Sequence, residues 1–271
     1  MPSAVRQRPT NNQAASSSVV KGITAITKPT TGIKISLYGR SGTGKTTIFS
    51  TFPKPSLLIR AEEGTRSIYK EKGVFTTPLI TDPKELSELI EHVKDSGKYL
   101  TVGLDTATAF QDVVLKSIVN RTVSVQLGFG EIGREEWGQC ALQVKEKLRE
   151  LMELADAGVN VVILSQERDF SEEESSDMIM PMVSSRVTPS VVDWLNPSVD
   201  YIGHTFLKEV SERVTEMKGK QKIIRNKTAI KWCMRVGPHP VYVTKFRIPR
   251  GNILPEYIVD PNYDKIKELI D

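Results

Sequence analysis

From Ile33 onward the chain alternates short apolar runs with amphipathic stretches. Ile33–Lys34–Ile35–Ser36–Leu37–Tyr38 predicts a strand entering a glycine-rich loop, and Ser56–Leu57–Leu58–Ile59 predicts a second strand. At Asp82–Pro83–Lys84–Glu85 a helix is expected to start, with Asp82 as N-cap and Pro83 in the first helical position. Residues 99–104 predict a strand that ends at Asp105. Over residues 137–154, Leu142, Val144, Leu148, Leu151 and Leu154 recur close to helical spacing. The run Val161–Val162–Ile163–Leu164 is continuous, as in a strand covered on both faces. Repeated strand–helix units predict an α/β fold, a mainly parallel sheet with helices on both faces. Past Asp200 the pattern changes: residues 228–236 and 241–247 predict strands flanking Gly237–Pro238–His239–Pro240, hence a C-terminal β-hairpin.

Residues 1–30 lack this periodicity and are rich in Pro, Asn, Gln and Ser, as a flexible basic tail would be. Within them Val19, Val20, Ile23 and Ile26 form one apolar segment, a strand or a docking element. Residues 31–271 are left as the core. The 271 residues suffice for one sizeable α/β core and are short for two full domains with linkers. No stretch approaches the roughly 20 apolar residues of a membrane helix. The N-terminus lacks a signal peptide's apolar centre, so a cytoplasmic protein is expected. Cys140 and Cys233 form no C-x-x-C pair and are expected as buried thiols. His92, His204 and His239 are scattered and imply no metal cluster.

Charge alters the picture more than composition does. The net charge is +4, but residues 1–60 carry no acid at all. Residues 217–231 add Lys218, Lys220, Lys222, Arg225, Lys227 and Lys231, again without an acid, while Glu172, Glu173 and Glu174 form an acidic run. Basic segments of this kind can attract polyanions, although a charge run also serves as a solvated face.

Gly39–Arg40–Ser41–Gly42–Thr43–Gly44–Lys45–Thr46 fits G-x-x-x-x-G-K-[ST] without a mismatch, with Thr47 beside it. The glycines let the backbone turn its N–H groups onto phosphate oxygens. Lys45 is placed to reach the β- and γ-phosphates, and the Thr46 hydroxyl to ligate Mg²⁺. A magnesium site also needs a carboxylate at a nearby strand end, which Asp105 supplies; Asp105 is equally suited to cap the following helix. Thr106 rather than Glu follows Asp105, so the usual AAA+ pairing of Asp with a catalytic Glu is missing. Glu62 and Glu63 close the second strand, and either could take a proton from water or simply be solvated.

A P-loop, a Glu closing the next strand, an Asp closing a later one and Ser165–Gln166 after a buried strand stand in the order found in RecA-like recombinases. The chain most resembles the core-only phage members of that family, single-strand annealing ATPases, over about residues 33–250. The resemblance implies that Glu62 is the catalytic base and that Gln166 senses the γ-phosphate and signals to DNA-binding loops. It also implies that Lys245 and Arg247, a K-x-R pair on a late strand, reach the γ-phosphate of a neighbouring subunit as an arginine finger does. The first DNA loop falls on residues 121–134, where Arg121, Phe129 and Arg134 could hold a strand and stack a base. The second falls on the acidic run, which departs from the family, and Lys218, Lys220, Lys222 and Arg225 could compensate.

These readings predict an ATP- and Mg²⁺-dependent single-stranded-DNA-binding ATPase acting in recombination or strand annealing. Its expected partners are single-stranded DNA, further copies of the chain and a single-strand-binding protein, with no membrane. A nucleotide-gated loader or scaffold for a replication protein is the alternative, and a small-molecule kinase ranks last because no Arg-rich lid is evident.

Overall fold

The computed structural model describes residues 31–119, 132–169, 183–218 and 221–271. The expectations for the tail, including Val19 to Ile26, and for Arg121, Phe129, Lys220 and the acidic run lie outside these residues. Among the described residues a nine-stranded sheet forms the centre. Its parallel part comprises β1 (Lys34–Gly39), β2 (Ser56–Arg60), β3 (Val74–Leu79), β4 (Thr101–Asp105) and β5 (Asn160–Ser165). These stand in the order β1-β5-β4-β2-β3, so the P-loop strand and the Asp105 strand flank β5.

Period-two alternation assigns the strand side chains to two cores. Leu57, Ile59, Val161 and Ile163 face one layer, built from α2 (Pro83–Ser96), α3 (Ala107–Val119), α4 (Arg134–Glu153) and α5 (Pro189–Ser198). Leu58, Val162, Leu164, Ile35 and Leu37 face the other, with α1 (Lys45–Ser50) and α6 (Tyr263–Ile270). The expected start of α2 is a full capping box: Asp82 accepts from Lys84 N at 2.8 Å, and Glu85 accepts from Asp82 N at 3.0 Å. In α4 the residues Val144, Leu148 and Leu151 are buried as their spacing predicts, whereas Leu142 is 68% exposed. At Gly103 a Cβ would stand 2.5 Å from the Phe49 ring, so the missing side chain lets α1 pack directly on β4.

The C-terminal hairpin is present, but its strands are not the predicted pair. β8 (Tyr201–Lys218) runs parallel to β1 and turns back into β9 (Gln221–Arg235), with His204 opposite Arg235 and Lys218 opposite Gln221. β10 (Lys245–Phe246) pairs with Ile202 and Tyr201, continuing along the β8 edge where β9 ends. Both predicted strands therefore pair with β8 instead of each other. Pro238 and Pro240 offer no N–H for a ladder, so this turn passes the chain on along one partner rather than folding it back. Strand β11 (Tyr257–Val259) adds to β9, and β6 (Glu167–Asp169) with β7 (Val183–Ser185) forms a separate two-stranded sheet. No helix among the described residues is long and apolar enough to cross a membrane.

Candidate functional site

β1 delivers the chain into the loop, and α1 takes it out. Gly42 and Gly44 have φ of 80° and 86°, the left-handed backbone that glycine adopts at no steric cost. The loop is anchored from beneath: Thr43 Oγ1 lies 2.8 Å from Arg40 O and 2.7 Å from Thr205 Oγ1 of β8. Lys45 is buried, and its ammonium donates to Gly39 O at 2.8 Å and Arg40 O at 2.9 Å. Burial lowers its pKa, while Asp105 and Glu62 pull it back up. The ammonium thus lies folded against the concavity that the loop forms, with two acids behind it.

Asp105 is 3% exposed at the end of β4 and accepts from the Thr46 hydroxyl at 2.9 Å. Burial pushes its carboxyl up to about 6; the Thr46 bond lowers it, and the charge of Glu62 raises it. A buried carboxylate facing a hydroxyl across one hydrogen bond suits a hard divalent cation, whose charge would offset the desolvation. Thr46 and Asp105 thus fit Mg²⁺.

Glu62 and Glu63 have separate fates. Glu63 turns outward, 78% exposed, and pairs with Arg60 of its own strand. Glu62 turns inward, accepting from Thr106 Oγ1 and from Gln166 Nε2, both at 3.1 Å. Gln166 is itself fixed by its backbone N–H, which donates to Thr108 Oγ1 at 3.0 Å. Three strand ends, those of β2, β4 and β5, therefore bring Glu62, Asp105 and Gln166 together beside Lys45. Where a Glu would follow Asp105 in the usual AAA+ pairing, Thr106 instead holds the acid contributed at the end of β2.

A cavity of about 570 Å³ opens over these groups, bounded also by Ser41, Gly42, Thr47, Trp232, Asp260 and Pro261. A second, of about 1240 Å³, shares Glu62 and Gln166 and is lined further by Trp137, Lys145, Arg168 and Arg186. Directly after Gln166, Glu167 accepts from Arg40 Nε at 2.6 Å and stands 3.0 Å from His204 Nε2 at the root of β8. His204 is 2% exposed and stacks on Tyr242 with ring centroids 4.1 Å apart. Burial depresses its pKa, against the upward pull of Glu167. The side chain of Arg40, the second residue of the P-loop motif, is thus engaged with Glu167.

The other predicted residues lie elsewhere. Lys245 donates to the carbonyls of Asn196, Pro197 and Val199, at 2.8, 3.1 and 2.6 Å. Arg247 donates to Asp200 at 2.8 Å and to Pro197 O at 3.2 Å. As the K-x-R spacing predicts, both reach one side, but within this chain they hold the C-terminus of α5. Arg134 opens α4 and is exposed. Lys218, Lys222 and Arg225 sit on β8 and β9 near the hairpin tip. Sequence reasoning missed Thr106, the Glu167–His204 pair and the wall formed by Trp232, Asp260 and Pro261. Cys140 and Cys233 are buried thiols, as expected.

A model of the AAA domain matches residues 31–248, well over half of the chain. No curated protein matches it. The matched span contains every strand end that builds the site, from Gly39 to Gln166, so the chain belongs to the AAA domain family and carries a P-loop ATPase-type domain.

Proposed function

We propose that the chain hydrolyses ATP with Mg²⁺ and couples hydrolysis to binding of single-stranded DNA, acting as an oligomer in recombination or strand annealing. One observation carries this reading. Gln166 hydrogen-bonds Glu62 at 3.1 Å and also lines the second cavity, so a ligand there and a γ-phosphate beside Glu62 would touch the same amide. On nucleotide binding, Lys45 exchanges its two carbonyl partners for β- and γ-phosphate oxygens. Glu62 takes the proton of the attacking water, and Thr106 and Gln166 hold its two oxygens for that task. Thr46 and Asp105 would hold Mg²⁺, which would supply positive charge against the charge developing on the phosphates. Lys145, Arg168 and Arg186 supply cations for a phosphate backbone in the second cavity, and Trp137 supplies a face for a base. If Lys245 and Arg247 act on a neighbour's nucleotide, they exchange their α5 partners for its γ-phosphate.

The runner-up, a nucleotide-gated loader, is favoured by a different feature. Leu207 and Ile230 on β8 and β9 are 50% and 71% exposed, an apolar face suited to a protein partner. ATP turnover measured with and without single-stranded DNA separates the two. Stimulation of tenfold or more supports the DNA reading, and an unchanged rate in a protein that does hydrolyse ATP favours the loader.

A further inference from the structure

The 570 Å³ cavity has two unlike ends. Lys45, Thr46, Glu62 and Asp105 crowd one of them, where the terminal phosphates belong. The rest of the wall sets the Trp232 ring, Pro261 and Ile48 beside the hydroxyls of Ser41, Thr47 and Ser67, with two acids, Asp260 and a Glu63 already paired with Arg60. The indole lies against the P-loop itself. Its Cδ1 is 3.1 Å from where a Cβ on Gly44 would stand, and its Nε1 is 3.4 Å from Gly42 O. Trp232 is 52% exposed, although Cys233 and Met234, which follow it on β9, are fully buried. Asp260 is tied to the same strand, donating its N–H to Trp232 O at 2.7 Å, and its carboxylate meets Lys231 at 3.5 Å. The loop it starts is pinned to the end of α1, where Tyr263 N–H donates to Thr51 Oγ1 at 2.8 Å.

We propose that Trp232 and Asp260 form the nucleobase site of this P-loop, Trp232 as the stacking wall and Asp260 as the acceptor for a purine's exocyclic amine. The proposal rests on the reading of the P-loop as a triphosphate site and adds the part of the ligand that the motif does not specify. A half-exposed indole beside a phosphate cradle offers a π-face that any base can cover, and such stacking strengthens binding about 5- to 100-fold. Stacking alone discriminates little between bases. Selectivity falls to Asp260: a carboxylate accepts from an amine and gains nothing from a base without one.

The test is a calorimetric titration, in the presence of Mg²⁺, of ATP, inorganic tripolyphosphate and purine riboside triphosphate, which lacks only the amine. Trp232→Ala should weaken ATP about tenfold or more while changing tripolyphosphate affinity less than about threefold, and Trp232→Phe should recover most of the loss. Wild-type protein should prefer ATP to the amine-free analogue about tenfold, and Asp260→Gly should remove that preference. Glycine suits this position because Asp260 has a φ of 47°. Equal weakening of ATP and tripolyphosphate by Trp232→Ala, or undiminished ATP affinity, overturns the stacking wall. An ATP preference that survives Asp260→Gly overturns the acceptor. If wild-type protein binds neither ATP nor tripolyphosphate, the triphosphate reading itself fails, a result distinct from either.

Discussion

Replacing Glu62 by Gln should stop chemistry while leaving the fold in place. Its two oxygens accept from Thr106 Oγ1 and from Gln166 Nε2 at 3.1 Å. In the variant the amide oxygen can still accept from Gln166. The amide nitrogen can donate to Thr106 Oγ1, a hydroxyl that already accepts from Ala109 N–H at 3.2 Å and can serve as acceptor again. Only the proton of the buried Thr106 hydroxyl loses its acceptor, so the stability loss should stay within about 1–3 kcal/mol. The proton acceptor, however, is gone. A general base supplies roughly 10²- to 10⁴-fold, so turnover should fall at least about 100-fold, an increase of about 2.7 kcal/mol in the barrier. Steady-state ATP hydrolysis read beside ATP affinity and a thermal melt tests this, with Glu63→Gln as control because Glu63 points to solvent. Turnover within tenfold of wild type, at unchanged affinity, would refute the assignment, and a loss confined to Glu63→Gln would transfer it to the neighbour.

Three further outcomes follow from other parts of the chain. Gly103→Ala puts a methyl 2.5 Å from the Phe49 ring, so it should cost about 1–3 kcal/mol in a denaturant melt and weaken ATP binding, because Phe49 lies on α1 directly behind the P-loop. Burial lowers the pKa of His204 more than Glu167 raises it, so its contribution to stability is complete above the unfolded pKa near 6.5 and is lost as pH falls below it. The melting temperature should therefore drop between pH 7.5 and pH 5.5, and by less in His204→Gln; identical pH dependence in the two would remove His204 from that account. Neutralising Lys218, Lys220, Lys222 and Arg225 together should flatten the log–log salt dependence of single-strand binding by about 0.7 for each phosphate that no longer has a cation beside it, and an unchanged slope would leave the hairpin tip without a role in DNA binding.

What was legible in the sequence was what local chemistry encodes. The P-loop, the Asp82 capping box and the buried run of β5 each declare themselves within a few residues. Glu62, Asp105 and Gln166 were legible because each closes a strand, and parallel strands deliver their C-terminal ends to one edge of the sheet. Which of Glu62 and Glu63 turns inward is decided from outside the motif, by Thr106 and Gln166, which are 44 and 104 residues away in sequence. Trp232 meets Gly42 across 190 residues, and no spacing announces such a contact. Its strand mixes Lys, Arg and Asn with apolar residues without strict alternation, so the sequence does not say which face lies over a ligand. The hairpin partner was misread for a related reason. Residues 201–218 mix Glu, Lys and Ser with Val and Thr, so β8 carries no strong apolar signal, while the Gly–Pro turn after β9 resembles a local hairpin. β3 was missed because Pro78 demotes it as a strand, yet an edge position tolerates the missing N–H.

The central claim is that the loop from Gly39 to Thr47, with Asp105, holds a nucleoside triphosphate through the charge of Lys45. Its most direct test is a calorimetric titration of ATP with Mg²⁺ into wild-type protein and Lys45→Ala. Among the described residues Lys45 donates to two loop carbonyls, so the variant should remain folded, and binding should be saturable in the wild type and weaker by at least about 100-fold in the variant. Equal ATP affinity in two folded proteins would contradict the account.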